Sequence, residues 1–412
     1  MYNTKRVGWA VVAALPLIIG QSHAVRALTR SDRPAAVVIY PQVEACDVTK
    51  SSICPGNLNR DTLIVLSNTK ANSVSVNNSV TAHCFYLNAN SHCTNSGNIC
   101  TSSSQCQNGT FGSCVPGWTE TDFNVTLTPD QPLSWSALNG LRKFPITGLT
   151  CSTDQSIKCL TPGASCGLNG TCGFGGNSGS LVPPAPEIPF VGELKCIEVD
   201  PATQTPFGGD ARNDLKGEAT LEQILDNGTL DVAKYDAVGV IANDNNDGNS
   251  TLTLSMGDEY EDCAPVIVFD HLFDGAVDPI DSSNTAQSDL TLVPCSEDLQ
   301  TGNTGSGAST AQFLVFNEFE QRFSTSRRVD CHFNSALSLI DTTQPTRSIF
   351  NAKVTGTVAG QTRIRSVGGG LTGVARLSFV TGTSTVTTVG SAAYNLHQDV
   401  GERDTPDTIQ LP

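Results

Sequence analysis

Residues 74–87 read VSVNNSVTAHCFYL. Apolar and polar residues alternate up to Val80, the pattern of a strand with one buried face, and the run then becomes mostly apolar through Cys84, Phe85, Tyr86 and Leu87. Working outward, the same signature recurs in short pieces. Residues 37–40 (VVIY), 62–68 (TLIVLSN), 122–135 (DFNVTLTPDQPLSW, with Phe123, Val125 and Leu127 on one face), 190–199 (FVGELKCIEV), 215–221 (LKGEATL), 235–242 (YDAVGVIA), 251–254 and 264–269 (APVIVF) all read as strands. Only residues 219–225 (ATLEQIL) have a weak helical rhythm. Short strands with turn residues between them predict an all-β chain: two tandem antiparallel β-sandwich domains of immunoglobulin-like type. The polar, Gly/Ser/Thr-rich residues 278–309 mark the junction, giving a first domain over 25–280 and a second over 281–412.

Two cysteine quartets interrupt the first domain as loop insertions, at 93–114 (Cys93, Cys100, Cys106, Cys114) and 151–172 (Cys151, Cys159, Cys166, Cys172). Both lie in Gly/Ser/Asn/Thr-rich sequence that cannot bury a core of its own. Such loops need a covalent staple to hold one shape. Gaps of roughly five to seven residues are wider than the paired cysteines of zinc sites, so the quartets read as disulfides. Sequence alone leaves three connectivities open for each; we expect first-to-third and second-to-fourth. Cys46 and Cys54 bracket a further polar loop. We also expect an inter-sheet bridge Cys84–Cys196 and a second-domain bridge Cys295–Cys331. The chain has 15 cysteines, so at least one thiol is left over.

Residues 1–24 carry the marks of a secretory leader: Lys5 and Arg6, an apolar run over 7–20, and Ser22-His23-Ala24 as the cleavage site. The apolar run is broken by Pro16 and too short to span a bilayer comfortably. We expect a secreted chain without a membrane span, which fits the cysteine usage. The net charge of −16 opposes a phosphate backbone and excludes nucleic acid as a partner.

The end of the chain echoes its beginning. Residues 313–317 (FLVFN) resemble 64–68 (IVLSN), 329–333 resemble 82–86, 350–356 resemble 123–129, and 371–377 resemble 190–196, in the same order. This predicts an internal duplication in which the quartets belong to the first copy only.

Chemistry-bearing motifs are sparse. Residues 80–84 (VTAHC) and 176–180 (GNSGS) resemble the base-histidine and nucleophile segments of trypsin-like serine proteases. That chemistry needs a serine beside a histidine oriented by a carboxylate, which nominates His83, Asp122 and Ser178. The interval from His83 to Ser178 is too short for two barrels, and Ser178 sits in a Gly-rich run ahead of Pro183-Pro184, so catalysis is not expected. Residues 243–248 (NDNNDG) resemble the start of a calcium loop, nominating Asn243, Asn245 and Asp247. The twelfth position, Leu254, cannot supply the bidentate carboxylate, and a turn fits the same residues. The acidic run 258–262 and the Asp270-His271 and Asp274 group are weaker signals still.

The segments HCFYLNANSHC (83–93), ELKCIEVD (193–200), LKGEATL (215–221) and FNEFEQRFSTS (316–326) resemble secreted, cysteine-rich β-sandwich proteins of bacterial type. That resemblance implies compartment and fold class and brings no activity with it. The expected function is therefore structural or adhesive binding of a protein or glycan at the cell surface, through loops that include the cysteine knots. A secreted hydrolase acting on polysaccharide or protein is the alternative.

Overall fold

The computed structural model describes residues 33–71, 78–100, 102–107, 111–116, 119–141, 182–210, 212–302, 307–382, 387–399 and 405–412, and the backbone of 30–31, 158–159 and 172–173. The leader, Ser178, Cys151 and Cys166 lie outside the described residues. The described chain is almost all β, in several antiparallel sheets cross-linked by disulfides.

The first unit comprises β1 (Val37–Ala45), β2 (Arg60–Asn68), β3 (Val80–Asn88), β4 (Thr119–Leu127), β5 (Pro132–Ser136), β6 (Phe190–Val199), β7 (Leu215–Ile224), β8 (Leu230–Asp236) and β9 (Val238–Val240). These form one sheet in the order β9-β1-β6-β3-β4, extended beside β9 by Arg30–Ser31, and a second in the order β8-β7-β2-β5. The weak helical rhythm over 219–225 falls on β7. Ala219 and Leu221 of this run are buried at alternate positions and pair in register with β2, so the sheet overrides it.

The second unit comprises β10 (Val266–Leu272), β11 (Asn284–Pro294), β12 (Ser309–Asn317), β13 (Arg322–Val329), β14 (Phe333–Ala336), β15 (Ala359–Gly368), β16 (Leu371–Thr381), β17 (Thr387–Asn395) and β18 (His397–Gln398). Its sheets run β18-β10-β15-β12-β13 and β17-β16-β11-β14. Each strand of the second unit thus has a counterpart nine places earlier, and the two units share one strand order. Registers agree too. Cys84 lies opposite Cys196 across β3 and β6, and Phe313 lies opposite Ile364 across β12 and β15. On that register VTAHCFYLN (80–88) falls on STAQFLVFN (309–317), and LKGEATL (215–221) falls on LTGVARL (371–377).

The four expected matches are corrected by this pairing, 329–333 included, since residues 82–86 fall on 311–315. Residues 313–317 correspond to 84–88 rather than 64–68, and 371–377 to β7 rather than β6; residues 350–356 hold a single helical turn, Ala352–Thr355, instead of a strand. Core strands share one hydrophobic period, so local pattern could not tell which neighbour each one takes. The expected boundary at 280/281 also fails. Strand β10, at 266–272, is hydrogen-bonded into the second unit, so the units divide between Val240 and Val266.

A close backbone approach recurs in both copies. A side chain on Gly192 would meet the Leu87 carbonyl at 2.0 Å, and one on its counterpart Gly360 would meet the Phe316 carbonyl at 2.9 Å and the Phe273 ring at 2.5 Å. The facing residues, Asn88 and Asn317, each end their strand by accepting the backbone N–H two residues on, at 3.0 Å. In the second unit the chain then returns directly into β13. In the first, the cysteine hairpin of residues 91–116 is inserted at that same turn.

Three hydrophobic cores are built mainly from strand residues among the described residues. Between the first unit's sheets lie Tyr40, Ile64, Tyr86, Phe123, Trp135 and Leu194; Trp135 donates its indole N–H to the Tyr86 hydroxyl at 2.8 Å. Truncating Trp135 to alanine costs about 3–5 kcal/mol. Between the second unit's sheets lie Phe269, Leu290, Phe313, Phe350 and Ile364. The third core covers the outward face of the β9-β1-β6-β3-β4 sheet. Its cover is a small sheet of Thr251–Leu254, Asp407–Gln410 and Glu297–Asp298, held by Cys263–Cys295. Every residue of β1 and β3 is consequently buried, whereas β12 alternates buried and partly or fully exposed positions.

Candidate functional site

The cover buries charge as well as hydrocarbon. Along β6, Gly192 is followed by outward-facing Glu193, Lys195 and Ile197, and neither charged side chain reaches solvent. Lys195 Nζ meets Glu193 Oε2 at 3.3 Å, Glu297 Oε2 from the cover, and the Pro294 carbonyl at 3.1 Å. Burial opposes the Lys195 charge, but Glu193 and Glu297 outweigh it and hold its pKa above the ordinary lysine value. Burial, then the Glu193 carboxylate, pushes Glu297 well above the ordinary range, so that its proton compensates the second acid. Cys331 is buried beside this group and is the free thiol among the described residues. Burial and Glu193 push its pKa up to about 11, far from a reactive thiolate.

His83 and Asp122 lie farther along the same face and do come together, with Nε2 to Oδ2 at 3.0 Å. His83 is buried and stacked 4.3 Å from Phe85. Its Nδ1 is buried without a hydrogen-bond partner, so among the described residues no hydroxyl stands where a nucleophile must. Neighbouring Glu120 is pushed up to about 7 by burial, then by Asp122 and Glu297. The pair is a feature of the first unit only; in register, its counterparts are Gln312 and Ser324.

Asp270 and His271 do not act together, because adjacent strand residues face opposite sides. Asp270 is exposed and accepts from Gln361, while His271 packs against Phe269, Phe273 and Phe350 and bonds the Thr362 hydroxyl at 2.8 Å. Burial pushes it down to about 4, leaving it neutral. Asp274 accepts the Ser288 and Ser338 backbone N–H groups at 2.8 and 3.0 Å, a structural role.

The expected calcium ligands are committed elsewhere. Asn243 and Asn245 donate their amides to the carbonyls of Asp258 and Gly257, and Asp247 accepts from the Asn249 backbone. Gly248, at φ +77°, turns the chain. Glu259, within the acidic run, accepts the N–H groups of Asp247 and Thr253. These residues build a turn.

Five disulfides are described. Cys93–Cys106 and Cys100–Cys114 follow the first-to-third, second-to-fourth pattern. Cys46–Cys54 closes its loop. Cys84–Cys196 forms, but the two cysteines sit on neighbouring strands of one sheet, so the bridge is not between sheets. Cys295 pairs with Cys263 rather than Cys331: it leaves β11 toward the cover, while Cys331 follows β13. In the second quartet only the Cys159 and Cys172 backbones are described; they face each other in a short antiparallel pair.

The first knot is firmly mounted. Glu187 gathers Asn88 and Asn90 on Oε1 at 2.5 Å each and His92 on Oε2 at 2.9 Å. The hairpin beyond carries Phe111 fully exposed and Val115 40% exposed. Sequence reasoning chose this knot but missed Phe111, whose signal is a lone aromatic residue within a polar disulfide loop.

A polar cleft of about 470 Å³ separates the two units, lined in part by Glu44, Arg60, Asp289 and Arg376. Its acids do not converge as a free pair. Glu44 accepts from Arg60 at 2.8 Å and Gln42 at 2.6 Å, and the neighbouring Asp231 accepts from Arg376 at 3.2 Å.

No family model matches the chain, and no curated protein matches it. Among solved structures, a chain from "Structure of infectious bursal disease virus Gx strain" is similar at 10% identity, covering 92% of this chain and 74% of that chain, with a TM-score of 0.15. A score that low carries no argument. No helix among the described residues is long and apolar enough to cross a membrane.

Proposed function

We propose that the chain is an extracellular binding protein of two tandem immunoglobulin-like β-sandwiches, and that the disulfide hairpin of residues 91–116 presents its contact surface. The supporting observation is the exposure of Phe111 on a loop clamped by two disulfides and anchored at its base by Glu187. An aromatic side chain held in a pre-set loop loses little freedom on binding and gains its full apolar burial. Disulfides throughout the chain fit an oxidising compartment, in keeping with a leader at residues 1–24. A protein or glycan at a cell surface is the proposed partner class.

The hydrolase reading has less support. In the inter-unit cleft Glu44 is held by Arg60, and His83 Nδ1 has no hydrogen-bond partner among the described residues. The test is binding of the mature protein to glycan and cell-surface protein arrays. Saturable binding that Phe111→Ser abolishes, with the melting curve unchanged, is the expected result. Binding indifferent to Phe111→Ser, or turnover of a polysaccharide or protein substrate, overturns it.

A further inference from the structure

The duplication supplies a comparison within the molecule. On the shared register, Lys195 and Ile197 of β6 correspond to Arg363 and Arg365 of β15, and Phe85 of β3 corresponds to Leu314 of β12. In the first unit this outward face is covered by a polypeptide segment that brings Val293 and Leu299 to the hydrocarbon and Glu297 to the cation. In the second unit the same face is open: Arg363 and Arg365 are exposed, and Val266, Val268 and Leu314 are only half-buried. Outward-facing Arg322 on β13 adds to its positive charge, in a chain of net charge −16, while Arg328 on the same strand is paired with Asp330. Arg363 forms an exposed ion pair with Asp399 at one margin. A concavity of about 720 Å³ lies over Gln312, Leu314, Ser324, Ser326, Arg363 and Arg365.

We infer that this face of the second unit docks an extended acidic polypeptide segment of a partner protein, seated as residues 292–299 are seated on the first unit. A carboxylate meets Arg363 as Glu297 meets Lys195, and flanking apolar residues meet Val266, Val268 and Leu314. Arginine suits this role because its guanidinium holds a carboxylate in a fixed, two-point geometry. The inference is independent of the hairpin at 91–116.

The test uses the full chain and a synthetic peptide of residues 292–299 (LVPCSEDL) carrying Cys295→Ser. The expected result is saturable binding by fluorescence anisotropy at low salt, lost progressively as salt is added. Arg363→Gln with Arg365→Gln weakens it at least about tenfold, as do Glu297→Gln and Asp298→Asn in the peptide, while Arg363→Lys with Arg365→Lys, which keeps the charge and loses the two-point geometry, weakens it less. Circular dichroism and melting curves identified with the parent's establish that the variants fold. No binding, or binding indifferent to these substitutions, overturns the inference. Arginine-dependent binding of heparin without peptide binding also overturns it, assigning the face to a sulfated glycan. Self-association seen by light scattering and abolished by the arginine variants replaces the separate partner with a second copy of the chain.

Discussion

Cys84 and Cys196 face each other in register on neighbouring strands, their Cα atoms 4.0 Å apart. Phe313 and Ile364 hold the same two places in the second unit, so the fold accepts plain hydrocarbon there. Replacing both cysteines by valine is expected to leave the circular dichroism spectrum unchanged and to lower stability in urea by about 2–4 kcal/mol, through lost cross-linking of the unfolded chain. An unfolded double variant would show the bridge to be required for the fold itself.

Lys195 is the positive member of a buried group with two acids. Lys195→Met leaves Glu193 and Glu297 without their cation and is expected to cost about 3–5 kcal/mol. Glu297→Gln mimics the protonated acid favoured there and is expected to cost less than about 1 kcal/mol. Chemical denaturation of the two variants side by side checks the asymmetry; equal losses would contradict the protonation assigned to Glu297.

Stability should fall between about pH 6.5 and 8. Glu198 is buried next to Asp214, and its pKa is pushed up to about 8, whereas an unfolded glutamate titrates near 4.3. Across that window the folded chain keeps a proton that the unfolded chain has lost, so raising the pH favours unfolding. His271 and His332, pushed down to about 4 by burial, act in the opposite sense, but only below about pH 6.5. Glu198 contributes a loss of about 2 kcal/mol from pH 6.5 to 8, Glu297 acts in the same sense, and Glu120 adds less because it is half-exposed. Urea midpoints across this range should fall in the parent and fall less steeply in Glu198→Gln, where the protonated Glu297 still acts in the same sense.

Asp231 joins the units. It accepts the Ser391 backbone N–H at 3.0 Å, the Gln223 amide at 2.8 Å and Arg376 at 3.2 Å. Removing it strands a buried guanidinium, so Asp231→Ala is expected to cost about 3–5 kcal/mol. Since each unit has its own core, scanning calorimetry should show one transition in the parent resolving into two in the variant. A single transition at the original temperature would remove Asp231 from the interface.

What the sequence disclosed was governed by distance along the chain. The all-β class was legible in residues 74–87 and their relatives because alternation is local. The first knot was legible because its four cysteines lie close together in polar sequence. The duplication was legible as a repeated order but was read one strand out of step. IVLSN at 64–68 looks as much like FLVFN as CFYLN at 84–88 does, until pairing with β6 and β15 separates them. The shared L-x-G-x-A-x-L of 215–221 and 371–377 was the overlooked clue. Burial of Glu193 and Lys195 was not legible at all. Nothing local in ELKCIEV signals that its alternating charges are buried, and they are enclosed only because residues near 297 and 409 fold over them. Cys263 and Cys331 changed places in the expected pairing for a similar reason, since the cover drawing Cys263 to Cys295 is assembled from distant segments.

The unequal shielding of the two larger sheets bears on how the halves diverge. Outward positions of β3 and β6 are pinned by neighbours on both sides, and a substitution there must fit the cover. Their counterparts on β12 and β15 have no cover and can change without disturbing a core. Identical ancestral strands placed under such different constraints drift toward different residue classes. A face enclosed in one copy and open in the other therefore erases the sequence record of the duplication that produced it, while strand order, which neither copy can alter without losing its core, preserves it.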